Sequence, residues 1–199
     1  MYPPKIYLDN DPTYTARIIN AHSFAVLTCA GEHAPLVTHL PLLVQNGVLY
    51  GHVARENPMV DAFDRQTVFK AIFSGPHAYI SASLYDRPEK SVPTWDYTAV
   101  HVSGTATILN ETASDEAMLH LAKTFEPDAA WTIPSARDYV TALMPHIVVF
   151  QMTMDTTQGF RKLSTTKNIK TGGRITDALT QQGEGDLAQE ILIRQKEIT

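Results

Sequence analysis

Asn46-Gly47, set between the apolar runs 35–44 and 48–54, constrains the fold more than any other feature of the chain. An Asn-Gly pair accepts positive φ at both central positions of a two-residue hairpin turn, the turn whose twist matches antiparallel strands. With this pair as the turn, Gln45 lies opposite Val48 and, counting outward, Pro41 lies opposite His52. His39 then shares a face with Pro41, so His39 and His52 are expected diagonally across one face of the hairpin.

Around that hairpin the pattern stays strand-like, with β-branched residues and turn punctuation predicting strands near 24–30, 35–44, 48–54, 67–74 and 77–82. Asp11-Pro12 supplies a cap and a first-turn proline for a helix running to about His22. A short helix is expected over 58–65, a polar loop over 83–96 and another strand over 97–109. Ser114 or Thr112 can cap a helix ending at Phe125; a further helix is expected over 135–144 and a strand over 146–154. Leu187, Ile191 and Ile198 recur at helical spacing near the C-terminus. Many short strands interrupted by helices predict a mainly β (α+β) barrel or sandwich, and the alternation is too irregular for a doubly wound parallel sheet.

Length and composition set bounds. The chain has 199 residues, 44% hydrophobic and 19% charged, which suits one packed domain. Its single cysteine, Cys29, lies in a strand-like run and reads as core packing in a reducing compartment. Neither a secretion signal nor an apolar run of ~20 residues is present, so a cytoplasmic location without a membrane segment is expected. The net charge of −5 disfavours gripping DNA through an overall field, and no helix-turn-helix pair stands out.

Several motifs fail on context. Gly183-Glu184-Gly185-Asp186-Leu187-Ala188 fits a dinucleotide fingerprint but follows a helix, with too little chain left for a βαβ unit. No phosphate loop, no nucleophile elbow and no zinc-ligand spacing occurs, so no metal is expected. His39 and His52 either meet a ligand or each make one hydrogen bond at a barrel mouth. Arg161, Lys162, Lys167, Lys170 and Arg174 form a run with no acid among them, and Ser164, Thr165 and Thr166 add hydroxyls. Such a run suits a phosphate, or is a solvated loop. Ser74–Ser81 is expected to turn sharply at Gly75-Pro76 and then present Ser81, while Val92–Tyr97 gathers Thr94, Trp95, Asp96 and Tyr97. Rings combined with placed donors hold flat cofactors, or simply pack.

These segments, read in order, carry a resemblance. His39-Leu40-Pro41-Leu42, Gly51-His52-Val53-Ala54-Arg55 with Asn57-Pro58, Gly75-Pro76 with Ala78–Ser81, Val92-Pro93-Thr94-Trp95, Val100-His101-Val102 with Gly104, and Lys162-Leu163-Ser164 are similar to the PaiB-type family over 2–164. The resemblance implies a Greek-key-like FMN-binding split β-barrel over 1–164, with 165–199 as a basic loop and helical appendage. It also implies a homodimer and the label of negative transcriptional regulator. Lys162, Ser164, Ser81 and Lys90 would then hold the FMN phosphate, with Thr94, Trp95 and Tyr97 bordering the ring and His39 and His52 nearby. The chain departs from the family pattern at Ala82, Leu84, Asp96, Thr165 and Thr166. The alternatives are a small flavin-dependent oxidoreductase, pyridoxamine-oxidase-like or heme-degrading-like, and a cofactor-free structural dimer. No residue is assigned to catalysis.

Overall fold

The structure is a computed structural model that describes residues 4–127, 136–164 and 167–198; Thr165 and Thr166 lie outside the described residues. The described strands are β1 (Phe24–Cys29), β2 (Leu36–Pro41), β3 (Leu43–Gln45), β4 (Val48–Ala54), β5 (Val68–Ile80), β6 (Thr94–Ile108), β7 (Ile147–Thr153) and β8 (Thr156–Lys162). They form one sheet in the order β2-β1-β5-β6-β7-β4-β3, with β8 paired to β6. The helices are α1 (Pro12–Ala21), α2 (Glu111–Phe125), α3 (Arg137–Leu143), α4 (Ile169–Gln181) and α5 (Gly185–Ile198).

The signals read from single residues hold. Asp11 Oδ1 accepts the N–H groups of Thr13 at 2.7 Å and Tyr14 at 3.0 Å, the two donors an N-cap satisfies. Asn46 (φ 53°) and Gly47 (φ 78°) turn the hairpin with Gln45 opposite Val48 as expected.

The hairpin is shorter than its apolar runs suggest. Its ladder ends at Leu43 opposite Tyr50, and β2 pairs instead with β1, placing Pro41 opposite Phe24 and His39 opposite Val26. Pro41 has no N–H to offer, and the Leu42 N–H donates to the Ser23 carbonyl at 2.9 Å, so the run changes partners at that point. His52 lies opposite Val149 of β7, not diagonal to His39 within one hairpin.

Other boundaries also move. Gly75-Pro76 does not break the sheet; β5 runs through both residues. A Cβ at Gly75 would lie 2.2 Å from Thr98 Oγ1, so glycine serves close approach of β6 rather than a turn. Residues 58–65 make only a 3₁₀ turn, Pro58–Ala62, and β6 starts at Thr94 instead of 97. The cap of α2 is Asn110, whose Oδ1 accepts from Ala113 N at 3.0 Å, in place of Thr112 or Ser114. The basic segment is no simple loop: it begins in β8 and continues in α4, which Asn168 caps through the Thr171 N–H at 2.9 Å.

The chain divides into two compact units, with β5 and β6 contributing to both. The first takes the described residues of Met1–Ala21, Ser74–Val100 and Gln158–Thr199. Its core packs Ala78, Ile80 and Leu163 against Ile175, Leu179, Leu187 and Ile191 of α4 and α5. Each leucine or isoleucine among them contributes about 1.5–3 kcal/mol by leaving water. The second unit takes His22–Phe73 and the described residues of His101–Thr157, centred on Phe63, whose ring lies 4.7 Å from Phe150 and 5.2 Å from Phe69.

Candidate functional site

Within the first unit, the start of β6 and the end of β8 build a cleft of about 330 Å³. Its walls include Tyr7, Tyr85, Lys90, Ser91, Thr94, Asp96, Lys162, Ser164 and Lys167. Alternation along β6 turns Thr94 and Asp96 to this side and Trp95 and Tyr97 to the other. Lys162 Nζ donates to Thr94 Oγ1 at 2.6 Å and also to the Trp95 carbonyl, which fixes the ammonium at the strand edge. Lys167 Nζ lies 4.5 Å from the centre of the Tyr85 ring and Lys162 Nζ 6.0 Å from that of Tyr7, both within cation–π range.

One acid faces these ammoniums. Asp96 is 2% exposed, and its Oδ2 accepts the Ser164 backbone N–H at 2.7 Å. Burial pushes its carboxyl above the ordinary range, while Ser164 hydrogen bonds and the nearby Lys162 and Lys167 pull the other way. The Tyr85 phenol is pushed up by its own burial and by the Asp96 charge, so it remains a neutral donor at physiological pH. Three lysines and several hydroxyls around one buried carboxylate suit an anion rich in acceptor oxygens, such as a phosphate.

Four residues expected at a ligand thus line one cleft: Lys90, Thr94, Lys162 and Ser164. Lys90 closes a 3₁₀ turn, Pro88–Lys90, started by proline. Ser81 is not among the lining residues; its Oγ caps the turn Ala82–Leu84, accepting from Ser83 N at 3.2 Å. Trp95, 56% exposed, sits with His77 at 6.3 Å and Tyr79 at 6.2 Å, the latter edge-on. Tyr97 is half-buried on the same side of β6 as Trp95, so the expected grouping of Thr94 with those two rings is not made.

His39 and His52 belong to the second unit. His39 is exposed and stacks on Phe24 at 6.3 Å. His52 has a buried Nδ1 with no hydrogen-bond partner among the described residues, and burial holds its imidazole below the ordinary pKa. Tyr7, Tyr85 and Ser91 were not anticipated. Tyr7 comes from the far end of the sequence, where no local signal marks it; Ser91 is signalled only by lying next to Lys90.

Arg161, beside Lys162, lines a second cleft of about 430 Å³ with Asp9, Tyr14, Arg17, Arg194 and Glu197. It pairs with Asp9 at 2.9 Å and Glu197 at 2.7 Å and stacks on the Tyr14 ring at 4.6 Å. Arg174 is likewise engaged, with Asp86 at 2.5 Å. Two members of the basic run are therefore structural.

Comparison with known proteins bears on the family and the fold. Residues 1–156 match the family described as "Putative FMN-binding domain". The chain is 30% identical over 176 residues to Protease synthase and sporulation protein PAI 2 of Bacillus subtilis, covering 84% of each. Among solved structures, the FAD and heme binding protein of Mycobacterium smegmatis aligns with TM-score 0.62 at 11% identity, over 78% of this chain and 73% of that one. The flavocytochrome Anf3 of Azotobacter vinelandii aligns with TM-score 0.61 at 14% identity, over 80% and 71%. At such identities these likenesses speak to fold, and the fold is the split barrel with added helices that the sequence motifs imply. The chain belongs to the PaiB-type family of FMN-binding-domain proteins, whose cofactor is FMN or a related flavin.

Proposed function

We propose that the chain binds FMN through the β6–β8 cleft and acts as a dimeric regulator or redox sensor. The observation that carries this reading is the convergence of Lys90, Lys162 and Lys167 with Thr94, Ser91 and Ser164 on one small cleft. A phosphate monoester brings close to two negative charges, and charge-assisted hydrogen bonds from ammonium and hydroxyl groups are those that hold it best. The residues present fit that group. Lys162 enters the site already oriented by Thr94 and the Trp95 carbonyl, so little side-chain freedom is lost on binding. Trp95, exposed and flanked by His77 and Tyr79 on the other side of β6 from this cleft, offers an aromatic surface for the ring of a flavin held by a second copy. Bound flavin would supply one- or two-electron redox chemistry; the protein's part is to anchor, orient and cover it.

A second copy of the chain would provide the cover, since an aromatic platform as exposed as Trp95 suits closure by a two-fold partner. A cytoplasmic setting fits the single cysteine, Cys29, buried and reduced. Regulation through metabolism suits the charge of −5 better than direct gripping of duplex DNA. Native mass spectrometry of the protein mixed with FMN, beside its visible spectrum, tests the reading. The expected species is a dimer carrying two FMN, with the yellow absorbance of bound flavin. Protein that takes up no flavin at tens of micromolar contradicts it.

A further inference from the structure

Asp96 is the one acidic side chain among the described residues lining the lysine-rich cleft, and it is 98% buried there, being 2% exposed. Its Oδ2 takes the Ser164 backbone N–H at 2.7 Å, so the carboxylate is anchored between β6 and the end of β8. Ammonium groups come from β8 (Lys162), from the segment after it (Lys167) and from the Pro88–Lys90 turn (Lys90); phenols come from Tyr7 and Tyr85. The cleft thus holds an anion of the protein's own where an incoming anion would sit.

We propose that Asp96 decides which ligands the cleft accepts: its carboxylate competes with a phosphate dianion for the lysines, so a phosphate monoester binds together with one proton. The proton comes from solvent and is held between the Asp96 carboxylate and the phosphate, leaving the three lysines to balance the pair. Two anions in one partly desolvated cleft repel strongly, and one proton taken up by the pair relieves this. Asp96 and the phosphate, whose second ionisation lies near pH 6, share that proton, and burial favours its presence on the carboxyl side. A ligand without the dianion, such as riboflavin, meets no such penalty. The inference rests on the phosphate reading given above.

The test is calorimetric titration of FMN and riboflavin into wild type and Asp96→Asn, near pH 6 and near pH 8. The amide keeps the shape and removes the charge. At the higher pH, D96N should bind FMN about tenfold or more tightly than wild type, while riboflavin stays within about twofold. FMN affinity of wild type should fall from the lower to the higher pH by about tenfold more than that of D96N. The phosphate's own ionisation near pH 6 is common to both proteins and cancels in this comparison.

A second measurement needs no variant. Heats of FMN binding to wild type near pH 8, in buffers of different ionisation enthalpy, should report close to one proton taken up per FMN, and none with riboflavin. Zero uptake with FMN, or no selective gain in D96N, overturns the role of Asp96. If Lys162→Ala still costs FMN affinity in that case, the phosphate reading stands and only the Asp96 inference falls. If Lys162→Ala leaves FMN affinity unchanged, the phosphate reading itself fails.

Discussion

Arg161 and Lys162 are neighbours in β8, yet their side chains serve different clefts: Arg161 bridges Asp9 and Glu197, whereas Lys162 donates to Thr94 at 2.6 Å. Strand alternation is the cause, since successive side chains leave opposite faces. A run of basic residues that looks uniform in sequence thereby sends Arg161 into an ion-pair cluster and Lys162 into the other cleft.

The ion-pair cluster predicts a stability effect. The Arg161 side chain is 3% exposed and meets two carboxylates. Arg161→Ala leaves Asp9 and Glu197 without that partner and empties the space over Tyr14. Arg194 still pairs with both carboxylates at 3.1 Å, so no unpaired buried charge is left, and the expected loss in the urea unfolding free energy is that of the charge-assisted hydrogen bonds, about 1.5–3 kcal/mol. A loss below ~1 kcal/mol would place the cluster among weak surface pairs.

Asp86 predicts an acid limb. It accepts hydrogen bonds from Arg174 at 2.5 Å, Thr171 at 2.8 Å and Asn168 at 2.5 Å, and these hold its carboxyl far below the usual carboxylate range. A carboxyl depressed on folding stabilises the fold above its unfolded value of about 3.9, and that contribution fades as pH falls toward the folded value. Between about pH 5 and pH 3 the wild type should therefore lose more of its urea midpoint than Asp86→Asn. At neutral pH the variant should be the less stable of the two. Parallel pH profiles would remove Asp86 from the account.

The proposed dimer predicts a surface effect in the second unit. Phe24 is 68% exposed on β1 and Val37 58% exposed on β2, with the His39 ring stacked on Phe24. A standard interface buries ~1,600 Å², and a charge placed within one is strongly unfavourable. Light scattering at micromolar concentration should give a dimer for wild type and a monomer, or a concentration-dependent mixture, for Phe24→Asp. A monomeric wild type would contradict the dimer.

What could be read beforehand followed from local chemistry. Asn46-Gly47 and Asp11-Pro12 each fix a backbone conformation through their own side chains, and both behave as their residues dictate. The change of partner at Pro41-Leu42 depends on Ser23, a residue distant in sequence, and no local pattern announces it. Helix α4 was hidden because Lys170-Thr171-Gly172-Gly173 looks like a loop. Its helix is secured by packing on α5, where a Cβ at Gly172 would come within 2.2 Å of the Gln195 amide nitrogen. At the site, Lys162 and Ser164 were visible as part of an acid-free run, whereas Asp96 showed as a short polar group in Val92–Tyr97 and as a departure from a motif. Its importance comes from burial and from Ser164, which are properties of the folded chain.

The account turns on Lys162 as the phosphate anchor. Charge-assisted hydrogen bonds contribute ~1.5–3 kcal/mol each, so Lys162→Ala should weaken FMN binding by roughly ten- to a hundredfold. Riboflavin, with the same ring and no phosphate, should change by less than about threefold. Both flavins, titrated against wild type and variant by fluorescence quenching, give the answer in one experiment. A selective loss for FMN is the predicted result. Equal losses for the two flavins, or none for either, would contradict a phosphate site at Lys162.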